Sequence, residues 1–186
     1  MKHINKIGYF FLRNNLKIPN LFSKNFISFY EKSFLKNLIY KEKINCVLDV
    51  GSHRGSFIKS LRSMGYNGQI VSFEPTLTNY NYQRENFQND KKIRFYNLAL
   101  GDINCEQKIN IMDLSNMNSL LEPINKKIKN KINVKVKRLD SLMNDILEPI
   151  KNPKIFCKID TQGYDLNVLK GAVKFTKFFS IVQTEI

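Results

Sequence analysis

Two polar segments of this chain each follow directly after an apolar run, and both carry residue types that bind nucleosides. The run Val47–Leu48 is followed by Asp49 and then by a short loop bounded by two glycines, Gly51 and Gly55. A second apolar run ends in an acid, Glu74. A buried parallel strand, a tight glycine turn that opens a helix, and an acid at the tip of the next strand form a nucleoside-binding half-fold. This pattern leaves open whether the ligand is a dinucleotide or S-adenosylmethionine.

The spacing of the glycines distinguishes between these two kinds of ligand. A dinucleotide fingerprint has glycine at its first, third and sixth positions, where the backbone comes close to a pyrophosphate. Gly51 fills the first position, but His53 and Ser56 occupy the other two. The loop therefore suits a smaller, cationic ligand such as S-adenosylmethionine, whose amino-acid end would lie against it. The ribose hydroxyls of that ligand would then hydrogen-bond the carboxylate of Glu74.

The segment from Lys158 to Asp165 brings further charged groups to the end of a predicted strand. In a doubly wound sheet, ligands bind outside the carboxyl ends of the strands, next to the point where the strand order reverses. Lys158 and Asp160 are two residues apart, so their side chains point to the same side of a strand and their charges can pair.

Three candidate residues have a structural interpretation beside the functional one. Glu74 precedes Pro75 and either binds the ribose or ends its strand. We favour the ribose, because an acid at the tip of a buried strand usually needs a partner. His53 stands at the mouth of the loop and is either a proton acceptor or a loop residue with no functional role. Asp102 follows Gly101 and is either an adenine contact or a turn residue.

The elements that would position these residues alternate between strand and helix from Ile44 onward. This alternation predicts an α/β fold with a Rossmann-like, mostly parallel sheet and helices on both of its faces. Lys108–Met112 and Val134–Lys137 alternate apolar and polar residues, which predicts a small antiparallel insertion. The segment 116–131 between them is polar and basic, and we expect it to be mobile. The predicted strands of the main sheet are 47–49, 69–74, 93–100, 154–160 and 179–185, and the predicted helices lie at 57–64, 78–88, from 139, and at 165–170.

Residues 1–43 differ from the rest, because they are aromatic and basic and show no strand-like alternation. We expect an N-terminal helical extension there and a single domain over residues 44–186. The helix would either contact a membrane surface or a partner, or cover the core of the domain. We favour the cover, because the apolar face is rich in aromatic residues. The apolar positions on that face are Phe22, Phe26, Phe29, Tyr30, Phe34 and Leu38.

The composition of the 186 residues limits the classes of partner and of site. A formal net charge of +14 makes a nucleic-acid partner an alternative, although only six of the 30 basic residues are arginine, the type that recognises phosphates by paired hydrogen bonds. The three cysteines have no paired spacing, so we expect neither disulfides nor a zinc site, and no metal cluster is apparent. No apolar stretch reaches the ~20 residues that cross a bilayer. Since no signal peptide is recognisable either, we expect a cytoplasmic protein.

Beyond these local patterns, residues 44–186 resemble the FkbM-type S-adenosylmethionine-dependent methyltransferases, a branch of the class I methyltransferase fold. One block alone would be weak evidence, but the number and order of the blocks make the resemblance specific. Residues 48–55 match the family's Asp-Val-Gly-Ala-Asn-x-Gly loop, and residues 72–75 contain its Phe-Glu-Pro. The further blocks are 99–102, 118–120, 136–142, 158–165 and 169–172.

The resemblance implies transfer of a methyl group from S-adenosylmethionine, and we expect the acceptor to be a hydroxyl oxygen of a sugar, a glycan or another small hydroxylated metabolite. Asp49 would orient the loop and the methionine amine. Asp160 is the first candidate for the base that takes the hydroxyl proton, with Lys158, His53 and Gln162 as its neighbours. The implied cofactor-binding residues are Asp49, Gly51, Ser52, His53, Gly55, Glu74, Asp102 and Asp160.

Two departures from the family pattern leave alternatives open. His53 stands where the family usually has Asn, and Gln162 where it often has Glu, so the identity of the proton acceptor is open. The class I sheet normally continues past the strand that here ends at Ile186, so we expect two further strands and their helix to be missing. A non-catalytic remnant that lacks these strands is therefore one alternative. The other is a nucleic-acid methyltransferase or binder that uses the charge of +14.

Overall fold

The computed structural model describes residues 23–123 and 127–184, and a five-stranded sheet lies at its centre. Its spatial order is β3-β2-β1-β7-β8, and every neighbouring pair is parallel. This confirms the predicted α/β fold with a Rossmann-like sheet. The strands are β1 (Cys46–Val50), β2 (Gln69–Phe73), β3 (Ile93–Tyr96), β4 (Ala99–Leu100), β5 (Cys105–Met112), β6 (Ile128–Lys137), β7 (Ile155–Ile159) and β8 (Phe179–Thr184).

The predicted antiparallel insertion is confirmed as a second, three-stranded sheet with the order β4-β6-β5. In it β5 and β6 are antiparallel, whereas the short β4 runs parallel to β6. Val134–Lys137 of β6 alternates buried and more exposed side chains, as its sequence pattern predicts. In β5 the pattern is not followed throughout, because the polar side chain of Asn110 is buried.

Helices connect the strands of the central sheet. The α-helices are α1 (Ser23–Lys41), α2 (Ser56–Ser63), α3 (Leu77–Asn86), α4 (Met143–Leu147) and α5 (Asp165–Lys170). Short 3-10 helices cover Ser115–Met117, Leu139–Leu142 and Thr176–Phe178. Ile58 and Leu61 of α2 are fully buried, and the Phe57 ring makes an edge contact with Phe156 of β7, with the two ring centroids 5.9 Å apart.

Three predicted elements differ from the structure. The strand predicted over 93–100 is wrong as one element, because its first half pairs with β2 and its second half is β4 of the other sheet. The helix predicted from Thr78 instead begins at Leu77, with Thr76 as its N-cap residue. The segment 116–131, expected to be a mobile loop, includes a backbone bridge at Ser119 and the first residues of β6. Its residues 124–126 lie outside the described residues.

The described residues divide into two compact units, one that ends at Lys41 and one that begins at Glu42. In the first unit, α1 carries Tyr30 and Phe34, which are 50% and 58% exposed. Leu38 is partly buried. The remaining predicted apolar positions, Phe22, Phe26 and Phe29, lie outside the side chains that the structure describes. Over residues 23–123 and 127–184, no helix has both the length and the apolar character needed to cross a membrane.

The parallel register of the central sheet brings three predicted site residues together. The last residues of β2 and β7 are both register partners of the last residue of β1. The residues that follow these strands, Gly51, Glu74 and Asp160, therefore emerge side by side at one edge of the sheet. The strand order reverses between β1 and β7, where a doubly wound sheet binds its ligands.

Candidate functional site

The glycine loop, Gly51–Gly55, turns tightly at the end of β1 and leads into α2. The backbone nitrogens of Gly51 and Ser52 both donate to the carbonyl oxygen of Phe73, at 3.1 Å each. Gly51 has a φ of 77°, and a Cβ at this position would overlap the carbonyl oxygen of Asp160. Glycine is therefore required here, both for the left-handed backbone and for the close approach of the chain after β7.

A buried polar network supports the glycine loop from α3. The Gln83 side chain is fully buried, and its amide nitrogen donates to Ser52 Oγ at 2.8 Å and to the carbonyl oxygen of His53 at 2.5 Å. Its amide oxygen accepts a hydrogen bond from Ser72 Oγ at 2.6 Å. The hydroxyl oxygens of Ser52 and Ser72 are 2.7 Å apart. Because buried polar groups are costly unless they are hydrogen-bonded, this network stabilises a single loop conformation.

The Glu74 carboxylate lies beside the glycine loop and is held by backbone and side-chain donors. Oε2 accepts a hydrogen bond from His53 N at 2.9 Å. Oε1 accepts from Thr76 N at 2.9 Å and from Thr76 Oγ1 at 2.5 Å. Burial raises the pKa of Glu74, and these hydrogen bonds act in the opposite direction. Asn97 Nδ2 donates to the Glu74 carbonyl oxygen at 3.0 Å, so the backbone after β2 is held as well.

Lys158 lies between two aspartates. Its Nζ is 2.9 Å from Asp160 Oδ2, which confirms the predicted pair, and 3.6 Å from Asp49 Oδ1. Asp49 is fully buried, and burial raises its pKa to about 6, although the charge of Lys158 opposes the shift. The Lys158 ammonium also lies 5.4 Å from the ring centroid of Phe57. Two carboxylates therefore share one cation beneath the glycine loop.

His53 connects the glycine loop to the insertion. Its Nε2 is 2.7 Å from Ser115 Oγ, and its backbone has a φ of 50°. Burial and the charge of Arg54 lower the pKa of His53, while Asp160 opposes this shift. The imidazole is therefore mostly neutral at neutral pH.

The roof of the site, Ser115–Ser119, follows β5 and begins with a 3-10 helix. Ser119 exchanges backbone hydrogen bonds with Asn110, with N to O distances of 2.9 Å and 3.3 Å. Its hydroxyl donates to the carbonyl oxygen of Gln162 at 2.9 Å. The roof is therefore connected to both sides of the site, to the glycine loop through His53 and to the loop after β7 through Gln162.

These elements border a cleft of about 570 Å³, open solvent at its mouth included. Five of the residues singled out in the sequence line it: Gly51, His53, Glu74, Asp160 and Gln162. The roof contributes neutral polar side chains, among them Ser115 and Asn116. Apolar side chains complete the lining: Val50, Phe73, Leu98, Leu100, Ile109 and Leu120.

Five predicted site residues do not line this cleft: Asp49, Ser52, Gly55, Asp102 and Lys158. Asp49 and Ser52 are buried behind the lining, in the contacts described above. Gly55 is also buried, and a Cβ there would come within 2.6 Å of the Phe87 ring. The carbonyl oxygen of Asp102 accepts a hydrogen bond from the Arg138 side chain.

A family model of the methyltransferase FkbM domain matches residues 49–186, a range that contains the glycine loop, Glu74, the roof and Asp160. The chain belongs to the FkbM methyltransferase family. The matched residues confirm the resemblance drawn from the sequence blocks. Neither the curated proteins nor the solved structures include a significant match to the chain.

Several residues that hold the FkbM site in place are not evident from the sequence. Ser72 is the one with a local signal, since it is a polar residue inside an apolar strand run. Gln83 and Ser115 have no such signal, because nothing in the sequence around them indicates which loop or strand they contact. Among the residues that the structure describes, no group of three or more His, Cys, Asp or Glu side chains is arranged to hold a metal ion. The supporting residues are Ser72, Thr76, Gln83, Asn97, Ser115 and Ser119.

Proposed function

We propose that this FkbM methyltransferase uses S-adenosylmethionine as its methyl donor. One observation carries the proposal: the Gly51 backbone, the Glu74 carboxylate and the Asp160 carboxylate border a single cleft at the switch point of the sheet. Nucleoside ligands of doubly wound folds bind in this position, outside the carboxyl ends of the strands.

The residues around the cleft fit the parts of this donor. Glu74 is a buried, fixed acceptor for ribose hydroxyls. The apolar side chains of Leu98 and Leu100 offer a surface for an adenine ring. The glycine loop presents backbone to the amino-acid end, and the carboxylates of Glu74 and Asp160 complement a cationic ligand.

We propose that the acceptor is a hydroxyl oxygen of a sugar, a glycan or another small hydroxylated metabolite. Ser115, Asn116 and Asn118 line the cleft on the roof side. Hydroxyl and amide side chains both donate and accept hydrogen bonds, as sugar hydroxyls do. These neutral polar groups support an acceptor that is rich in hydroxyls.

When bound, S-adenosylmethionine supplies an electrophilic methyl group. The protein then has to hold the acceptor oxygen in line with that methyl group and to take up the hydroxyl proton. Asp160 is our first candidate for the proton acceptor, because it lines the cleft beside the glycine loop. His53 is the second, because its lowered pKa leaves a neutral imidazole in the same cleft.

Calorimetry with S-adenosylhomocysteine tests the donor. The wild-type protein should bind it, and an absence of binding at millimolar concentration would contradict the proposal. Glu74→Gln should weaken binding roughly tenfold or more, because charge-assisted hydrogen bonds to the ribose are lost. Glu85→Gln, at an exposed position of α3, is the matched control and should bind as the wild type does.

A second ligand distinguishes direct contact between Glu74 and the ribose from an effect of Glu74 on the shape of the glycine loop. The 2′,3′-dideoxy analogue of S-adenosylhomocysteine lacks the hydroxyls that Glu74 would bind. The affinity loss caused by Glu74→Gln should therefore be much smaller for this analogue. An equal loss for both ligands would give Glu74 a role in holding the loop and none in binding ribose.

The acceptor class is tested by incubating the protein and S-adenosylmethionine with a panel of nucleotide sugars and glycans. Mass spectrometry should detect a product heavier by one methylene group. Methylation of RNA or DNA, with no sugar or glycan product, would contradict the proposed acceptor.

A further inference from the structure

Thr76 follows Glu74 by two residues and stands where a side chain usually caps a helix. It is the N-cap residue of α3, and threonine at this position usually accepts a hydrogen bond from the first turn of the helix. Its side chain makes no such bond to α3, all of which the structure describes. The hydroxyl instead donates to Glu74 Oε1 at 2.5 Å, and the backbone nitrogen of Thr76 donates to the same oxygen at 2.9 Å. Thr76 therefore holds the carboxylate and does not cap the helix.

The turn that joins Glu74 to Thr76 is fixed by its surroundings. Pro75 lies between them and has no backbone N–H, so Thr76 supplies the first backbone donor after the carboxylate. Asn97 Nδ2 donates to the carbonyl oxygens of Glu74 and Pro75, at 3.0 Å each. Thr76 is buried and does not line the cleft. The two hydrogen bonds from Thr76 are therefore part of the packed fold.

The two oxygens of the Glu74 carboxylate differ in their surroundings. Oε1 accepts both hydrogen bonds from the buried Thr76, whereas Oε2 accepts from the backbone nitrogen of His53, which lines the cleft. The Asn79 side chain adds a further hydrogen bond to the carboxylate. An ionised carboxylate has about four acceptor sites, two on each oxygen. Protein donors fill both sites of Oε1, so at most one site remains for a ligand, and it lies on Oε2.

We propose that Thr76 is a specificity-determining residue, which restricts Glu74 to a single ribose hydroxyl of the methyl donor. This inference rests on the proposed function, in which Glu74 binds the ribose. A ribose presents two neighbouring hydroxyls, and a carboxylate with both oxygens accessible can accept one hydrogen bond from each. With Oε1 occupied by Thr76, one hydroxyl contacts Oε2 and the other has no carboxylate partner. Donor analogues that lack this second hydroxyl should therefore bind nearly as well as the complete molecule.

Calorimetry with the 2′-deoxy and 3′-deoxy analogues of S-adenosylhomocysteine tests the restriction in the wild-type protein. Removal of one hydroxyl should weaken binding roughly tenfold or more, because a charge-assisted hydrogen bond to Oε2 is lost. Removal of the other should change the affinity by less than about twofold, since no hydrogen bond to the carboxylate is lost. Tenfold losses for both analogues would overturn the inference.

Thr76→Val tests whether this residue imposes the restriction. Valine keeps the shape of the side chain but cannot donate, so Oε1 regains an acceptor site and the second hydroxyl gains a partner. S-adenosylhomocysteine should bind several-fold more tightly than to the wild type, and removal of either hydroxyl should now weaken binding roughly tenfold. An unchanged dependence on one hydroxyl in Thr76→Val would overturn the role of Thr76.

Two variants are the matched controls, and both should behave as the wild type does. Thr76→Ser retains the hydroxyl that donates to Glu74, and Thr78→Val makes the same change at an exposed position of α3. A gain of affinity in Thr78→Val equal to that in Thr76→Val would overturn the inference. Should Thr76→Val fail to fold, the two deoxy analogues still decide the question in the wild-type protein.

The same measurements separate this inference from the proposed function. Equal sensitivity of the wild type to the two hydroxyls overturns the restriction by Thr76 and leaves the donor and the ribose contact of Glu74 intact. Binding of S-adenosylhomocysteine that depends on neither hydroxyl contradicts the ribose contact, and the inference with it. An absence of binding by the wild type contradicts the proposed donor itself.

Discussion

The glycine loop and the roof face each other across the same cleft, but they are held in different ways. Behind the glycine loop, Gln83 is fully buried and makes three hydrogen bonds of 2.5 to 2.8 Å to the loop and to β2. The roof is held by the hydrogen bonds of Ser115 and Ser119 to His53 and Gln162, which are partly buried, although Ser119 itself is buried. A buried hydrogen bond that loses one partner costs more than one that water can replace.

The two sides of the cleft therefore differ in how firmly their polar groups are held. The side chains of Ser52, Ser72 and Gln83 are buried and hydrogen-bonded to one another, so the side that we propose binds the donor is held rigidly. The roof, which we propose faces the acceptor, is connected to the neighbouring loops by hydrogen bonds that are only partly buried. Substitutions behind the glycine loop should therefore damage stability and donor binding together, whereas those in the roof should be tolerated.

The largest effect is expected for Gly51→Ala, which adds a Cβ where the loop approaches the chain after β7. The change should lower the free energy of unfolding by about 3 kcal/mol or more, from left-handed strain together with overlap with the Asp160 carbonyl oxygen. Urea denaturation measures this loss, and calorimetry should show no binding of S-adenosylhomocysteine. The control is Gly163→Ala, because Gly163 also has a positive φ, of 94°, but a Cβ there would meet its nearest atom at 3.4 Å. Equal losses at the two glycines would mean that the close approach at Gly51 is unimportant.

Asp49 beneath the glycine loop should give stability a pH dependence. Its pKa is about 6 in the folded protein, against an ordinary value of 3.8. The folded state thus holds the proton more tightly than the unfolded state does. The contribution of Asp49 to the stability of the fold is therefore fully present below pH 3.8 and is lost as the pH rises through 6. Between pH 4 and 7, Asp49→Asn should therefore gain about 2 kcal/mol of stability relative to the wild type.

Urea denaturation of both proteins at several pH values measures this relative gain. Asp113→Asn, at an exposed position, should show a nearly constant difference from the wild type over the same range. A constant difference for Asp49→Asn as well would show that burial does not perturb the ionisation of Asp49.

Gln83→Met removes the donors and the acceptor behind the glycine loop while it keeps a similar side-chain length. We expect a loss of about 2 kcal/mol, because Ser52, Ser72 and the His53 carbonyl oxygen lose a buried partner. Thermal and urea denaturation measure the loss, and the affinity for S-adenosylhomocysteine should fall with it. Gln88→Met, at an exposed position, should change neither quantity. Unchanged donor affinity in a destabilised Gln83→Met protein would show that the network stabilises the fold without shaping the loop.

The smallest effect is expected in the roof, for Ser119→Ala. Loss of the hydrogen bond to the Gln162 carbonyl oxygen should cost about 1 kcal/mol of stability. The affinity for S-adenosylhomocysteine should stay within about twofold of the wild type, since this change is worth less than 1 kcal/mol in binding. Ser63→Ala removes a similar hydroxyl to carbonyl hydrogen bond at an exposed site on α2 and should be nearly neutral. If Ser119→Ala reduced donor affinity as strongly as Gln83→Met, the proposed division between the two sides would be wrong.

Much of the fold follows from local sequence pattern. Continuous apolar runs such as Val47–Leu48 indicate strands that are covered on both faces, and alternating segments such as Lys108–Met112 indicate half-exposed ones. The burial of every residue of β1 confirms the first assignment, and Val134–Lys137 of β6 confirms the second. In Lys108–Met112 the alternation is interrupted, because Asn110 is buried. The pairing of Lys158 with Asp160 was also predictable, because residues two apart on a strand share a side. The main error, at 93–100, concerns strand pairing, because a continuous pattern does not show that the chain leaves one sheet and joins another after Asn97.

The sequence by itself determined the α/β class, the glycine loop and the two acids that follow strands, Glu74 and Asp160, since these depend on periodicity, turn chemistry and strand ends. Only the tertiary structure decided which of these residues face the cleft. Asp49 and Glu74 are both acids near strand ends, yet one is buried against Lys158 and the other lines the cleft. The partners of the site also come from distant parts of the chain, such as Gln83 behind the loop and Ser115 above it. Local pattern records the type and spacing of side chains, whereas their burial and partners depend on how separate strands and helices pack together.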